Sequence, residues 1–259
     1  MSTKIYYFSG TGNSLSIAKE LQNDLTDKVT VMPISIFRDE ETVQIDTDVL
    51  GFVFPVYFMD TPYIVKSFIK KLVFKSKPYI FAVASCNGVP GISLIKFNKY
   101  LLTKGQVLSG GFFIDMPGNA LPTPEETAFE RLKNYKAQVN DISDIINNRT
   151  IKGIGDKYKI KARVLSYLLN SFGRKLYLTP ENVSVTSDCV GCGICEKVCP
   201  LKNIEIVDNK PRWGNNCSTC LACFHWCPKK AIKGGRMLNK RNQYHHPEVS
   251  IKDMDLKSK

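Results

Sequence analysis

Eight of the nine cysteines in this 259-residue chain lie between positions 189 and 227. They form Cys189-x2-Cys192-x2-Cys195-x3-Cys199-Pro200, then Cys217-x2-Cys220-x2-Cys223-x3-Cys227-Pro228. Thiolates are soft ligands that select zinc, copper(I) or iron–sulfur clusters. Cysteines at i, i+3 and i+6 in a loop can wrap one face of a cubane, each binding one iron. The x3 step carries the fourth thiol away, and the proline stops the chain from continuing around the same cluster. Gly191 and Gly193 let backbone N–H groups face the sulfurs without a Cβ clash. Structural zinc sites also use paired C-x2-C. Three close cysteines plus one, twice over and each time closed by proline, fit two cubanes far better. Cys86 stands alone and reads as a small buried residue without a redox role.

The second chemically suggestive stretch is Ser9-Gly10-Thr11-Gly12-Asn13-Ser14. It follows an apolar run at Lys4 to Phe8 and precedes Leu15, Ala18, Leu21 and Leu25, which recur at helical spacing. Two glycines permit a tight turn, and the hydroxyls of Ser9, Thr11 and Ser14 with the Asn13 amide offer neutral hydrogen bonds. The following helix N-terminus favours an anion. A phosphomonoester suits such a loop. The Gly-Lys-Ser/Thr ending of a Walker loop and the dinucleotide G-x-G-x-x-G are both missing. A simple strand-to-helix turn is the other reading.

These residues need elements to place them. Strand-like runs recur at Val29 to Ile34, Val49 to Val56, Tyr79 to Ser85 and Val107 to Ile114, with helical candidates at Tyr63 to Val73, Ile92 to Leu102 and Pro124 to Asn147. Alternating strands and helices predict an α/β fold, a doubly wound parallel sheet. Ligands of such sheets bind beyond the carboxyl ends of the strands. The loop Pro55 to Asp60 should therefore border a ligand. Tyr57 or Phe58 can stack on a ring there, or simply finish a buried strand. From the loop Ser85 to Gly91, Asn87 and Gly88 can present backbone groups. Met116 to Asn119 can form a cap, or only a connector. Among the cysteine arrays, Lys202 to Lys210 reads as a short hairpin strand, with Ala231-Ile232 starting its counterpart.

The charge is unevenly spread. Of 36 Lys/Arg and 24 Asp/Glu, residues 1–150 hold 16 and 15 (net +1) and the remainder holds 20 and 9 (net +11). That asymmetry suits nucleic acid, an acidic partner or plain solubility. Residues 151–180 form a basic connector whose apolar stripe, Ile160 to Phe172, suits packing between two halves, or a membrane or nucleic-acid surface. No run reaches the roughly 20 apolar residues of a membrane span. Met1 to Gly10 has no secretory pattern. A cytoplasmic location is the resulting expectation, and disulfides are not expected there. His225 sits among thiols that already fill the ligand positions, and reads as a packing or hydrogen-bonding residue. Tyr244-His245-His246-Pro247 lacks a third metal ligand and reads as a tail that packs back.

The arrays resemble the paired runs of dicluster bacterial-type ferredoxins. Ser9-x-Thr11-Gly12-Asn13-Ser14 resembles the FMN phosphate loop of flavodoxins, T-x-T-G-N-T, with serine at both ends. The whole chain is thus similar to a flavodoxin–ferredoxin fusion family known in anaerobes. The implied domains are a flavodoxin-like unit at 1–150, the connector, a small α+β ferredoxin-like unit at 181–235 and a tail at 236–259. The resemblance implies cross-ligation. One 4Fe–4S cluster takes Cys189, Cys192, Cys195 and Cys227, and the other takes Cys217, Cys220, Cys223 and Cys199. It further implies FMN against Ser9, Thr11, Gly12, Asn13 and Ser14, with ring contacts from Tyr57, Phe58, Asn87 and Gly88. The expected function is electron transfer between clusters and flavin, with a redox protein, acidic or not, as partner. No catalytic acid, base or nucleophile stands out, so no dedicated substrate is readable. Alternatives are a ferredoxin-type carrier with an empty docking module, and a basic nucleic-acid or membrane-surface protein with structural clusters. Counting about −2 for each oxidised cluster site and about −2 for a flavin phosphate, the +12 of the bare chain falls near +6. That weakens the nucleic-acid reading.

Overall fold

The computed structural model describes residues 1–154, 183–234 and 242–254. The first part runs β1 (Ser2–Tyr7), α1 (Asn13–Asp24), β2 (Lys28–Pro33), β3 (Val43–Ile45), β4 (Val49–Pro55), α2 (Tyr63–Lys71), β5 (Leu72–Phe74), β6 (Tyr79–Cys86), α3 (Ser93–Leu102), β7 (Gly110–Asp115), α4 (Glu125–Asn147) and β8 (Gly153–Ile154). The main sheet is ordered β2-β1-β4-β6-β7-β8, with every pairing parallel. Counting only the five long strands, this is the 2-1-3-4-5 order of the flavodoxin-like doubly wound fold. Every residue from Val49 to Phe54 is buried, which requires cover on both faces. The helix pairs α1/α4 and α2/α3 supply it. Phe52 and Phe54 pack on Phe97 of α3 at ring distances of 5.0 and 5.1 Å.

The strands open on one end of the sheet, so their loops meet there. On α1, Leu15, Ile17, Ala18 and Leu21 are buried, which seats the helix and fixes the loop before it.

Several elements differ from the sequence expectation. The helix expected to reach Val73 stops at Lys71, because Leu72–Phe74 extends and pairs with β3. The strand expected from Val107 begins at Gly110, and Val107 itself is 60% exposed. The sheet also continues past residue 150, through β8. The basic connector otherwise lies outside the described residues.

The second part contains β9 (Val183–Val185), α5 (Ile194–Lys197), β10 (Ile204–Val207), β11 (Lys210–Trp213), α6 (Ala222–His225) and β12 (Ile232–Gly234), and the chain's last described helix is α7 (Ile251–Met254). The hairpin partner of β10 is β11, not the segment at Ala231-Ile232. Asp208 and Asn209, at φ 50° and 57°, make the tight turn between them. β12 pairs instead with β9. Val198, Ala222, Trp226, Val249 and Met254 join the hydrophobic core of the first part.

Candidate functional site: one cavity walled by both halves

A cavity of about 320 Å³ lies at the carboxyl end of the sheet. Loops after β1, β4, β6 and β7 line it, and so do Thr219 and Leu221 from the second cysteine array.

In the first loop, Ser9, Thr11, Asn13 and Ser14 face the cavity and are all buried. Gly12 does not line it. With φ at +95°, it makes the left-handed turn into α1, and its N–H donates to Ser9 Oγ at 3.0 Å. Ser14 Oγ and Ser85 Oγ lie 2.9 Å apart. Asn13 Nδ2 donates to the Pro117 carbonyl at 2.9 Å, while its Oδ1 accepts from Tyr244 Oη at 2.7 Å. The Asn13 side chain is therefore a brace between loops. The backbone N–H groups of Thr11, Asn13, Ser14 and Leu15 have no partner among the described residues. Such donors at a helix N-terminus form a cradle for an anion.

Tyr57 and Phe58 both reach the cavity. Tyr57 and Asp60 exchange backbone hydrogen bonds of 3.1 and 2.9 Å, closing a turn with Phe58 and Met59 at φ 51° and 59°. Left-handed conformations for side chains of this size cost of order 1 kcal/mol each or more. The buried Asp60 carboxylate holds the turn, accepting from Thr61 N–H at 2.7 Å and Lys66 Nζ at 2.5 Å. Gly91, at φ +57°, leaves room for the Met59 backbone, which a Cβ would approach to 2.4 Å. Burial, with Cys220 adding to it, drives the Tyr57 hydroxyl well above its ordinary pKa.

Asn87 lines the cavity, but its Oδ1 accepts from Arg131 and from Thr123 Oγ1. Gly88 does not line it. Its N–H turns to Asp115 Oδ1 at 3.1 Å, so the pair expected to present backbone groups is divided. Cys86 also donates to that carboxylate oxygen, at 3.1 Å, and burial raises its thiol pKa.

The cysteines gather in two sets. Cys189, Cys192, Cys195 and Cys227 surround one small space of about 20 Å³. In this set burial pushes the Cys195 thiol to about 12, with repulsion from Cys192, Cys227 and Cys189 adding to it. Cys199 lies instead with Cys217, Cys220 and Cys223. Burial takes Cys220 to about 12, with Cys199 and Cys217 raising it further. Cys223 is also pushed well above its ordinary value by burial, with Cys220, Cys217 and Cys199 adding to it. Thiols this costly to ionise in a buried site are suited to cations that compensate their charge.

The two arrays repeat each other in backbone as well as in cysteines. Gly191 and Gly193 are left-handed at φ 67° and 73°, and so are their counterparts Thr219 and Leu221 at 54° and 61°. Where the first array uses glycine, the second carries side chains in the same strained turns, and both of those residues line the cavity. Aligning the two runs reveals that substitution in the sequence alone. Only the fold shows what the side chains face.

Residues 178–232 match the family model described as 4Fe-4S dicluster domain. This segment is a 4Fe–4S dicluster domain. No curated protein matches the chain in sequence. Among solved structures, Smu.1420 from Streptococcus mutans UA159 is 16% identical, with 57% of this chain and 100% of that one covered and a TM-score of 0.39. The two-electron reduced flavodoxin of Megasphaera elsdenii is 19% identical over 55% and 98% of the two chains, with a TM-score of 0.38. Oxidised flavodoxin 1 from Bacillus cereus is 14% identical over 54% and 98%, with a TM-score of 0.37.

The dicluster domain touches the cavity at its second array. The Asn119 amide donates both to Tyr57 Oη at 3.1 Å and to the Cys220 carbonyl at 3.2 Å. Trp226 Nε1 donates to the Gly10 carbonyl at 3.0 Å. His225 accepts from Tyr244 N–H through Nδ1 at 3.0 Å, so its proton sits on Nε2, 2.9 Å from the Asn119 carbonyl. Both ring nitrogens are engaged. No helix among the described residues is long and apolar enough to cross a membrane.

Proposed function

We propose that the chain is an electron-transfer iron–sulfur flavoprotein, in which two 4Fe–4S clusters exchange electrons with an FMN held in the cavity. One observation carries this reading: Thr219 and Leu221, from the second cysteine array, wall the same cavity as the Ser9–Ser14 loop. When bound, the clusters supply single-electron chemistry and the flavin one- or two-electron chemistry. The protein's own part is placement. The N–H cradle and the hydroxyls of Ser9, Thr11 and Ser14 receive the phosphate without a cationic side chain. Phe58 and Tyr57 offer faces to the ring. Cys189, Cys192, Cys195 and Cys227 hold the outer cluster, and Cys199, Cys217, Cys220 and Cys223 hold the one beside the flavin. Asn119 braces the junction between them. The partner is a redox protein, and the net +11 of residues 151–259 favours an acidic one. Cysteines used as cluster ligands rather than in disulfides suit the reducing cytoplasm.

The test is cofactor analysis after anaerobic purification. About eight irons, eight sulfides and one released FMN per chain are expected. Iron without flavin, even after FMN is added, overturns this reading in favour of an empty docking module.

A further inference from the structure

Residues Gln243 to Val249 join two sites that the sequence keeps more than 200 positions apart. On the cluster side, Gln243 Nε2 donates to the carbonyls of Phe224 and Cys227 at 2.6 and 2.8 Å. Tyr244 N–H donates to His225 Nδ1 at 3.0 Å. On the phosphate-loop side, Tyr244 Oη donates to Asn13 Oδ1 at 2.7 Å and His246 N–H to the Thr11 carbonyl at 2.8 Å. The side chains of His246 and Val249 press on Gly12, where a Cβ would stand 3.1 and 3.0 Å from theirs. Adjacent residues thus grip both sites.

We propose that this segment is a strap through which the second cysteine array holds the flavin phosphate loop in shape, so that cluster retention and FMN retention depend on each other. The inference rests on the FMN reading above. The physical reason lies in the peptide planes. Holding the Thr11 carbonyl outward on His246 turns the Gly12 N–H of the same trans peptide the other way, onto Ser9 Oγ. The loop's remaining N–H dipoles are crowded side by side and repel one another, so an external grip keeps them convergent before the anion arrives. Preorganisation of that kind raises affinity without touching the ligand. Coupling between two sites is reciprocal by thermodynamic linkage. Flavin that tightens the loop therefore also tightens the strap on the Phe224 and Cys227 carbonyls. Tyr244 and His246 are positioning residues in this scheme.

The experiment uses the full-length, cofactor-loaded protein handled anaerobically. FMN affinity is read by flavin fluorescence, and iron loss is timed with a chelator, with and without bound FMN. Tyr244→Phe removes one hydrogen bond to Asn13 and is expected to weaken FMN roughly 3- to 10-fold with iron content unchanged. Gln243→Ala touches only the cluster side. It is nevertheless expected to weaken FMN several-fold, and to abolish the slowing of iron loss that FMN gives the native protein. If native protein binds FMN, and both variants bind it equally well, the strap is overturned while the flavoprotein reading stands. FMN that leaves the native iron-loss rate unchanged also overturns it. Native protein that binds no FMN overturns the flavoprotein reading itself, and the strap with it.

Discussion

Cys199 and Cys227 are the thiols that leave their own arrays. Cys199 lies with Cys217, Cys220 and Cys223, and Cys227 borders the space shared with Cys189, Cys192 and Cys195. Replacing Cys199 with Ala is expected to damage the cluster of the second array and spare that of the first. Low-temperature EPR of the reduced protein distinguishes them, and loss confined to the first-array cluster refutes the assignment. His246 gives a second residue-scale prediction. Burial holds its pKa at about 4, below the ordinary 6.5. Glu248 opposes that shift, while Lys136 and His245 reinforce it. Between pH about 6.5 and about 4 the unfolded chain binds a proton that the folded chain does not, so stability falls as pH falls through that window. Anaerobic urea titrations at pH 7 and 5.5 are expected to show a smaller loss for His246→Asn than for the native protein. Equal losses would place the acid sensitivity elsewhere.

At the scale of elements, the central strands were the most legible part of the sequence, because short uncharged runs rich in β-branched and aromatic residues, at Val49 and Tyr79, suit strands covered on both faces. Their fit is tight. Gly51 on β4 lies under the Phe81 ring of β6, and a Cβ there would come within 2.3 Å of Cζ. Gly51→Ala is expected to cost about 1–3 kcal/mol by overpacking, read as a lower denaturant midpoint. An unchanged midpoint would show that the ring yields freely. Less legible were β3, β5 and the β9/β12 pairing. Three-residue strands carry too little pattern to reveal themselves, and their partners are remote in sequence. The left-handed turn at Leu221 yields a further test. Leu221→Gly relieves strain in that turn but removes a side chain packed with Ile204, Phe224 and Ile232, so stability should fall by about 2–5 kcal/mol, and FMN binding should weaken as well through loss of a cavity wall. Lost stability with unchanged FMN affinity would assign Leu221 a packing role alone.

Over the whole molecule, the decisive feature is how the two halves meet. Gly10 sits at the junction, where a Cβ would approach the Cys220 carbonyl to 2.6 Å and Tyr57 Oη to 2.8 Å. Since one of those contacts is backbone, Gly10→Ala must shift the backbone where the loop after β1 meets the second array. Iron content is expected to stay intact, while electron transfer between clusters and flavin, followed by stopped-flow absorbance, slows. An unchanged rate would mean that this junction is not the electron path. The lysines and arginines that give residues 151–259 a net of +11 lie in the same part of the chain as the eight cysteines of the two arrays. Much of that basic excess is offset once thiolates surround the clusters.

The sequence by itself determined the ligand type and spacing of the cysteine arrays and the Ser-Gly-Thr-Gly-Asn-Ser turn between β1 and α1. Ligand type and spacing are local properties, set by how far a few residues of backbone can reach. It also specified the alternating α/β order through hydrophobic periodicity. Only the tertiary structure decided that the second array, rather than the first, faces the cavity, that Asn13 is a brace, that Gly88 turns away, and that residues 243–249 grip both sites. Those facts depend on contacts between residues as far apart as Asn13 and Tyr244. Such contacts are fixed by packing across elements, and no local pattern encodes them.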